Sequence, residues 1–419
     1  MKKQLISTLA LTFSLGSSSA LATNGYFTHG YGIAHKGMAG AGLALSEELM
    51  SGANNPANLI VDSTQFSLGL ELFSPDRKYT ASSVADFFPD ALYLEAKTQK
   101  SDNTLFAIPE FAIGHQLNEK INIGVLVYGN GGMNTQYNAG TAPDGTFYAG
   151  TTGVDLKQLF ISPTVSYQFN EQTRVGVSPI YVLQQFEAQG LSSFAPFSQS
   201  PQNLSDNGAD TSTGVGIQLG INQTINSSLS WGASYRSAVS MQEFDSYRGL
   251  FAEQGGFDLP SSIQIGAAFK ITPDNEIVFD WQKINYDDVR SITNPIDNLM
   301  SAPLGTDGGA GFGWDDMTIY KLGYQWQRTE QQKIRFGISY TEQPIPSSEV
   351  LFNILAPGVQ EWHLTAGLSH SFSSKVQLNV MAFYSPAKEV TGVNFLAPNQ
   401  TLSIEMEQSG FGISFVWGM

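Results

Sequence analysis

The sequence predicts an all-β fold: a 14-stranded antiparallel transmembrane β-barrel of the outer membrane, with a small N-terminal hatch, or plug, in its lumen. Three observations predict it. A short apolar leader opens the chain, period-two alternation of apolar and small or polar residues runs through most of the remaining length, and the connections between the alternating runs are short and long by turns.

The leader is Met1 to Ala22. Lys2 and Lys3 form a basic start, Leu5 to Leu15 is mostly apolar, and Ala20-Leu21-Ala22 is a small-x-small cleavage site. These are the parts of a secretory signal peptide, so residues 1–22 are expected to be removed and the mature chain to begin at Thr23. The apolar run is shorter than the ~20 residues a membrane-spanning helix needs. No later stretch is longer, so a membrane-integral chain must be a closed barrel, in which strands satisfy every backbone group. Without Lys2 and Lys3, 21 basic residues become 19 against 37 acidic ones, a formal charge of −18 that makes the chain a poor binder of nucleic acid. Cys is absent, which excludes disulfides, thiolate metal sites and a thiol nucleophile.

Residues 23–62 show no strand alternation and are rich in Gly, Ala, Met and Asn. Tyr26, Phe27, Tyr31, Met38, Leu43, Leu45 and Leu49 give this segment more apolar surface than a solvated periplasmic tail would carry, so a compact plug inside a wide barrel is expected. Ala41 to Met50 is predicted to form a short helix.

Residues 63–419 are expected to form the barrel. Its last strand shows the pattern most clearly: Phe411, Ile413, Phe415, Trp417 and Met419 share one face, opposite Gly410, Gly412, Ser414, Val416 and Gly418. The run from Phe66 to Leu72 and those near residues 121, 215, 229, 263, 334 and 362 repeat it. The face opposite the apolar one is small and polar and includes Lys and Arg, which favours a wet lumen over the second sheet of a sandwich. Short turns fall near residues 118–120, 170–172, 226–228, 272–275, 328–332 and 373–375. Long connections fall near 74–104, 130–154, 187–210, 243–258, 287–315, 342–359 and 387–403. This count gives fourteen strands, with short periplasmic turns and long extracellular loops. Pro109, within the second run, cannot donate to a ladder and predicts an irregularity there.

The N-terminal block carries a family resemblance. Asn24-Gly25-Tyr26-Phe27, Gly30-Tyr31-Gly32, Gly37-Met38-Ala39-Gly40-Ala41-Gly42 and Asn55-Pro56-Ala57 resemble the hatch of the FadL/TodX family of outer-membrane transporters of long-chain fatty acids and other hydrophobic compounds. Phe279-Asp280-Trp281 with Tyr286, Trp314-Asp315-Asp316 before Leu322-Gly323-Tyr324, and Arg335-Phe336-Gly337 before Pro344-Ile345-Pro346 resemble its ninth to eleventh strands. The resemblance implies a kinked third strand beside the hatch that opens a lateral hole in the wall. Here that strand runs into Gly129-Asn130-Gly131-Gly132, and the matching hatch triplet is Asn55-Pro56-Ala57, so a contact between the two is expected. The chain departs from the aromatic ending common in such barrels by closing on Trp417-Gly418-Met419, which bears on recognition by the barrel assembly machinery.

The function this implies is passive uptake of long-chain fatty acids or related hydrophobic molecules past the lipopolysaccharide layer, with no cofactor and no catalysis. Leu191, Phe194, Phe197 and Leu204 on one long loop and Leu250, Phe251 and Phe257 on the next are candidates for ligand capture. Tyr26 and Phe27 are candidates for the lumen site. Strand phase points Arg174, Arg236, Lys270, Lys321 and Arg335 inward; pairing with Glu71 and Asp280 is expected for most, with Arg236 and Lys321 the first choices for a ligand carboxylate, followed by Arg335. Neutral hydrocarbons are the alternative substrate. An outer-membrane lipid hydrolase is the alternative of another class, but His363 lacks recognisable Ser and Asp partners in sequence, and His29 with His35 is too few for a metal site. A monomer embedded in outer-membrane lipid is expected.

Overall fold

The computed structural model describes residues 24–88 and 91–419; the expected signal peptide lies outside the described residues. Fourteen long strands form the wall: β1 Gln65–Ala81, β2 Phe106–Asn118, β3 Ile121–Tyr137, β4 Thr152–Gln168, β5 Thr173–Gln189, β6 Asp210–Asn226, β7 Leu229–Arg236, β8 Ser262–Thr272, β9 Asn275–Ile284, β10 Met317–Thr329, β11 Gln332–Thr341, β12 Trp362–Ser373, β13 Val376–Asn394 and β14 Ala397–Gly418. Each pairs with its neighbour in sequence, and β1 pairs antiparallel with β14 from Gln65↔Gly418 to Ala81↔Leu402, which closes the ring. A three-residue strand, Thr98–Lys100, pairs with Lys78–Thr80 of β1, beyond the stretch of β1 that β2 pairs with. The predicted fold class and strand number therefore hold.

Alternation sets which residue meets lipid. On β14, Phe411, Phe415 and Trp417 are exposed on the outer face while Gly412 and Ser414 are buried within. In lipid an outward row of large apolar side chains is solvated by acyl chains, so this exposure is the stable arrangement. Three of the tight turns are built alike: Asn118, Asn170 and Asn226 each accept with Oδ1 from the backbone N–H groups two and three residues on, the second of which begins the next strand, the side-chain mimic of a backbone turn that favours Asn.

Two expectations need correction. The stretch 387–403 is not an irregular loop: β13 and β14 continue as a ladder to Asn394↔Ala397 and turn tightly there. The alternation persists through Leu402, Ile404 and Met406, which are buried on one face of that hairpin. Ala41 to Met50 is not a helix; the helical turns are Ile33–Lys36 and Ser51–Asn54. Gly40 and Gly42 take φ of +73° and +107°, and the Gly42 and Leu43 N–H groups bond Asp280 Oδ2 of β9, each at 3.0 Å, instead of a helical carbonyl.

Residues 24–61 are almost entirely buried inside the ring. Ion pairs and hydrogen bonds fix their register against the wall. Lys36 pairs with Glu71 of β1, and Glu47 accepts from Lys333 Nζ at 2.7 Å and Arg335 Nη2 at 2.5 Å on β11. Buried pairs of this kind contribute little net stability, because desolvation offsets attraction, but they penalise any other placement.

Candidate functional site

The wall is interrupted between β2 and β3. The β2–β3 ladder runs from Asn118↔Ile121 only as far as Glu110↔Tyr128. The next residue on β2 is Pro109, which pairs with Leu70 of β1 but has no β3 partner among the described residues, so the irregularity expected there is present. Across from it, β3 slips register against β4 between Gly129 and Gly131, leaving Asn130 as a bulge residue. Residues of the N-terminal segment occupy the freed edge. Thr28 N donates to Asn130 O, Gly132 N donates to Tyr26 O, both at 3.0 Å, and Phe27 bridges Gly131. A Cβ on Gly131 would lie 1.9 Å from Tyr26 O, so this approach requires glycine. Higher up, the wall is taken over by Asp102, whose N–H donates to Gln136 O, and by Arg77, whose guanidinium donates to the Asn134 and Asn103 carbonyls.

The contact with the glycine-rich stretch Gly129 to Gly132 is thus made by Tyr26, Phe27 and Thr28. The triplet Asn55-Pro56-Ala57 docks elsewhere, against β4 to β6. Asn55 Nδ2 donates to Ile221 O at 3.0 Å, Ala57 O accepts from Ser166 Oγ at 3.1 Å, and Pro56 fills the space beside Gly176. Asn55 caps the 3₁₀ turn Pro56–Asn58, its side chain accepting from Ala57 N, so the geometry of the triplet is that of an anchor.

The inward cations are mostly engaged with the N-terminal segment. Arg335 is paired with Glu47 and also donates to Ser369 Oγ at 2.5 Å. Lys321 donates to the His29 carbonyl at 2.9 Å. Glu71 pairs with Lys36 and not with a wall cation, while Asp280 accepts from Gly42, Leu43 and Gln264 and stands directly opposite Lys321 of β10 in the strand register. Arg236 forms no ion pair among the described residues. Its Nη1 donates to Asn130 Oδ1 and to Tyr31 Oη, each at 2.9 Å, and the guanidinium lies 4.7 Å from the Phe27 ring centre. Lys270 is exposed at the turn end of β8, and Arg174, half-buried, donates to Gln168 Oε1.

The capture candidates come together in one place, but buried or half-buried. Leu191, Phe194, Leu250 and Phe251 line an apolar slot under the extracellular loops with Phe186 of β5, and Leu304, Phe312, Phe352 and Leu355 from later loops complete it. Phe197 packs against the same cluster without lining the slot, while Leu204 and Phe257 lie within the cluster. The four later-loop residues are not singled out by the sequence; Phe312 and Phe352 carry the available signal, as aromatics on long polar connections. The open volume is only ≈ 40 Å³, little more than one water's share of liquid, so a larger ligand must displace side chains.

From the slot, a file of aromatic rings descends to the wall opening. Phe186 and Phe251 are 4.6 Å apart, Phe251 and Phe257 4.9 Å, Phe257 and Tyr26 6.0 Å, and Tyr26 and Phe27 5.0 Å, with Tyr286 and Trp314 packed beside Tyr26. Ser339 Oγ lies 3.2 Å from His363 Nδ1, but both are buried in the lumen, His363 is stacked on His29, and no carboxylate orients the ring among the described residues.

The sequence profile of the family described as outer membrane protein transport protein (OMPP1/FadL/TodX) matches residues 13–416. The fold is similar to that of the P. putida toluene transporter TodX, at 16% identity and TM-score 0.69 over 94% of this chain and 99% of that chain. It is similar as well to a Pseudomonas aeruginosa FadL homologue, at 15% identity and TM-score 0.69 over 94% of this chain and 99% of that one. The Ralstonia pickettii toluene transporter TbuX has 15% identity and TM-score 0.65, again over 94% and 99%. At such identities the likeness carries the fold alone. No curated protein matches the sequence. With a profile match across nearly its whole length and a closed fourteen-strand barrel, the chain belongs to the FadL/TodX family of outer-membrane transport proteins.

Proposed function

We propose that this protein is a passive channel for long-chain fatty acids or related hydrophobic molecules. They enter the loop slot, descend beside residues 24–62 acting as a hatch, and leave sideways into the membrane between β2 and β3. The observation that carries the reading is the unbroken file of ring contacts from Phe186 to Phe27, which ends where the β2–β3 ladder is missing. A water-filled pore offers a greasy solute no affinity, whereas apolar burial supplies ~25 cal/mol per Å², several kcal/mol for an acyl chain. Exit through the wall spares the solute the aqueous periplasm. Arg236, beside the opening and without an ion-pair partner among the described residues, supports a carboxylate headgroup. Charge-assisted bonds to a carboxylate would be stronger than its present bonds to neutral Asn130 and Tyr31.

A second reading, neutral aromatic hydrocarbons, is favoured by the slot itself. Apart from Ser291 and Gly311 its lining is wholly apolar, and no charged side chain among the described residues lines it. Two of the similar structures are named toluene transporters. Uptake of labelled oleate and labelled toluene by a strain without its own transporter separates the readings. If neither label exceeds the empty-vector control, the transport proposal fails. Large steady ion currents through single channels would instead indicate a general porin.

A further inference from the structure

Three neighbouring strands carry, inside the ring, a chain of buried amides that runs from the loops to the opening. Gln184 of β5 donates Nε2 to the Phe257 carbonyl at 3.2 Å and accepts with Oε1 from Gln158 Nε2 at 3.3 Å. Gln158 of β4 accepts with Oε1 from Asn130 Nδ2 at 2.9 Å. Asn130, the bulge residue of β3, accepts with Oδ1 from Arg236 and from Tyr31 Oη, the latter at 2.6 Å. The backbone register makes this possible: Gln158 lies directly opposite Gln184 on one side and Gly131 on the other. Each amide presents its oxygen toward the guanidinium and its N–H toward the loop. All four bonds are therefore polarised in one sense, an arrangement in which each strengthens the next. The three amides are no more than 3% exposed, so a broken link strands a buried donor or acceptor.

Both ends of this chain meet the transport path. Phe257, whose carbonyl ends it, places its ring between Phe251 of the slot and Tyr26. At the other end, Asn130 O holds Thr28 N, and Arg236 and Tyr31 clamp the Asn130 side chain. We propose that Gln158 and Gln184 are positioning residues that couple ligand entry at the slot to release of Tyr26, Phe27 and Thr28 from β3. A ligand that displaces Phe257 withdraws the carbonyl from Gln184. The amides then reorient in sequence, and the clamp on Asn130 loosens. The inference rests on the proposed capture of hydrophobic molecules in the slot.

The chain has no cysteine, so Thr28→Cys provides a single thiol at the buried contact with Asn130. Its labelling by a maleimide is measured on the assembled protein with and without oleate, and separately with toluene. Coupling energies between linked sites imply that one of these raises the rate at least about fivefold. In Gln184→Leu and in Gln158→Leu the labelled compound should still bind, and its effect on labelling should fall to less than about twofold. The two variants cut different links, so one suffices if the other fails to give the heat-modifiable migration of a folded barrel. Undiminished acceleration in either assembled variant overturns the coupling. So does absence of acceleration in a Thr28→Cys protein that takes up oleate or toluene, and the transport reading then survives. Absence of uptake by the unsubstituted protein removes the transport reading itself and the coupling with it.

Discussion

Gly220 of β6 stands so close to Asn55 that a Cβ on the glycine would lie 2.0 Å from the Asn55 amide oxygen. The missing side chain is thus part of how the N-terminal segment is seated. Gly220→Ala is expected to leave the barrel able to assemble but to loosen the seat, at a cost of about 1–3 kcal/mol typical of overpacking. Limited proteolysis of the folded protein checks this: residues 24–62 should become accessible while the wall stays resistant. Unchanged protection would mean that the anchor tolerates displacement.

Arg335 is 1% exposed, and Glu47 is its carboxylate partner. Glu47→Ala leaves that guanidinium buried without a counter-ion and should destabilise the protein by about 3–5 kcal/mol. The double variant Glu47→Met with Arg335→Met should recover most of the loss, because it removes both desolvated charges. Thermal unfolding midpoints in detergent decide the matter; a double variant as unstable as Glu47→Ala would contradict it.

Seating should also depend on pH through Glu48, whose carboxyl accepts from Ala34 N at 2.7 Å and Asn379 Nδ2 at 3.1 Å. Burial, reinforced by the nearby Glu110 carboxylate, pushes its pKa up from 4.5 to about 8. The seated form therefore holds a proton that the released form gives up. Its contribution is fully present below pH 4.5 and is lost as pH rises through about 8. Hydrogen exchange of residues 29–50, corrected for intrinsic rates, should show protection falling across that window. Glu48→Gln should flatten the fall, and an unaltered profile in that variant would assign the effect to another group.

Phe194 lines the slot and touches Phe147 and Phe352 at ring separations of 5.0 and 5.4 Å. Phe194→Ala removes contact area worth about 1 kcal/mol to a ligand, so half-saturation of uptake should rise about fivefold with little change in the maximum rate. Initial rates against substrate concentration test this. An altered maximum rate with unchanged half-saturation would place the residue after capture.

Arg236→Gln separates the two substrate readings. It keeps a donor for Asn130 but removes the charge. Oleate uptake should fall about tenfold, the loss of one charge-assisted bond, while toluene uptake changes less than about twofold. Parallel losses for both labels would show that Arg236 serves the wall opening and not a headgroup.

Much of this architecture is legible in the sequence because strand period and turn residues are local signals. Phe411 to Trp417 declare their outward face unaided, and Asn118, Asn170 and Asn226 mark their turns. The bulge is visible as Gly129 to Gly132, since glycine-rich strands mark close approach. Its partner is not, because Tyr26 O meeting Gly131 depends on how the whole N-terminal segment folds back. For the same reason Glu47 and Lys36 are invisible as the partners of Arg335 and Glu71: strand phase tells which side chains point inward but not what fills the lumen. Gln158 and Gln184 read as ordinary inward polar positions. Only the register that sets them opposite one another gives them a role.

The seam between β1 and β14 has a consequence for biogenesis. It joins residue 65 to residue 418, so the wall is complete only once the first and last strands of the series have met. The N-terminal segment, residues 24–61, lies inside that ring. It touches strands all round the ring, with Pro56 against Gly176, Met38 against Gly337 and Ile33 against Gly412. An N-terminal segment gathered against the strands before the seam closes would be enclosed by that closure. The completed ring would then not have to reopen to admit it.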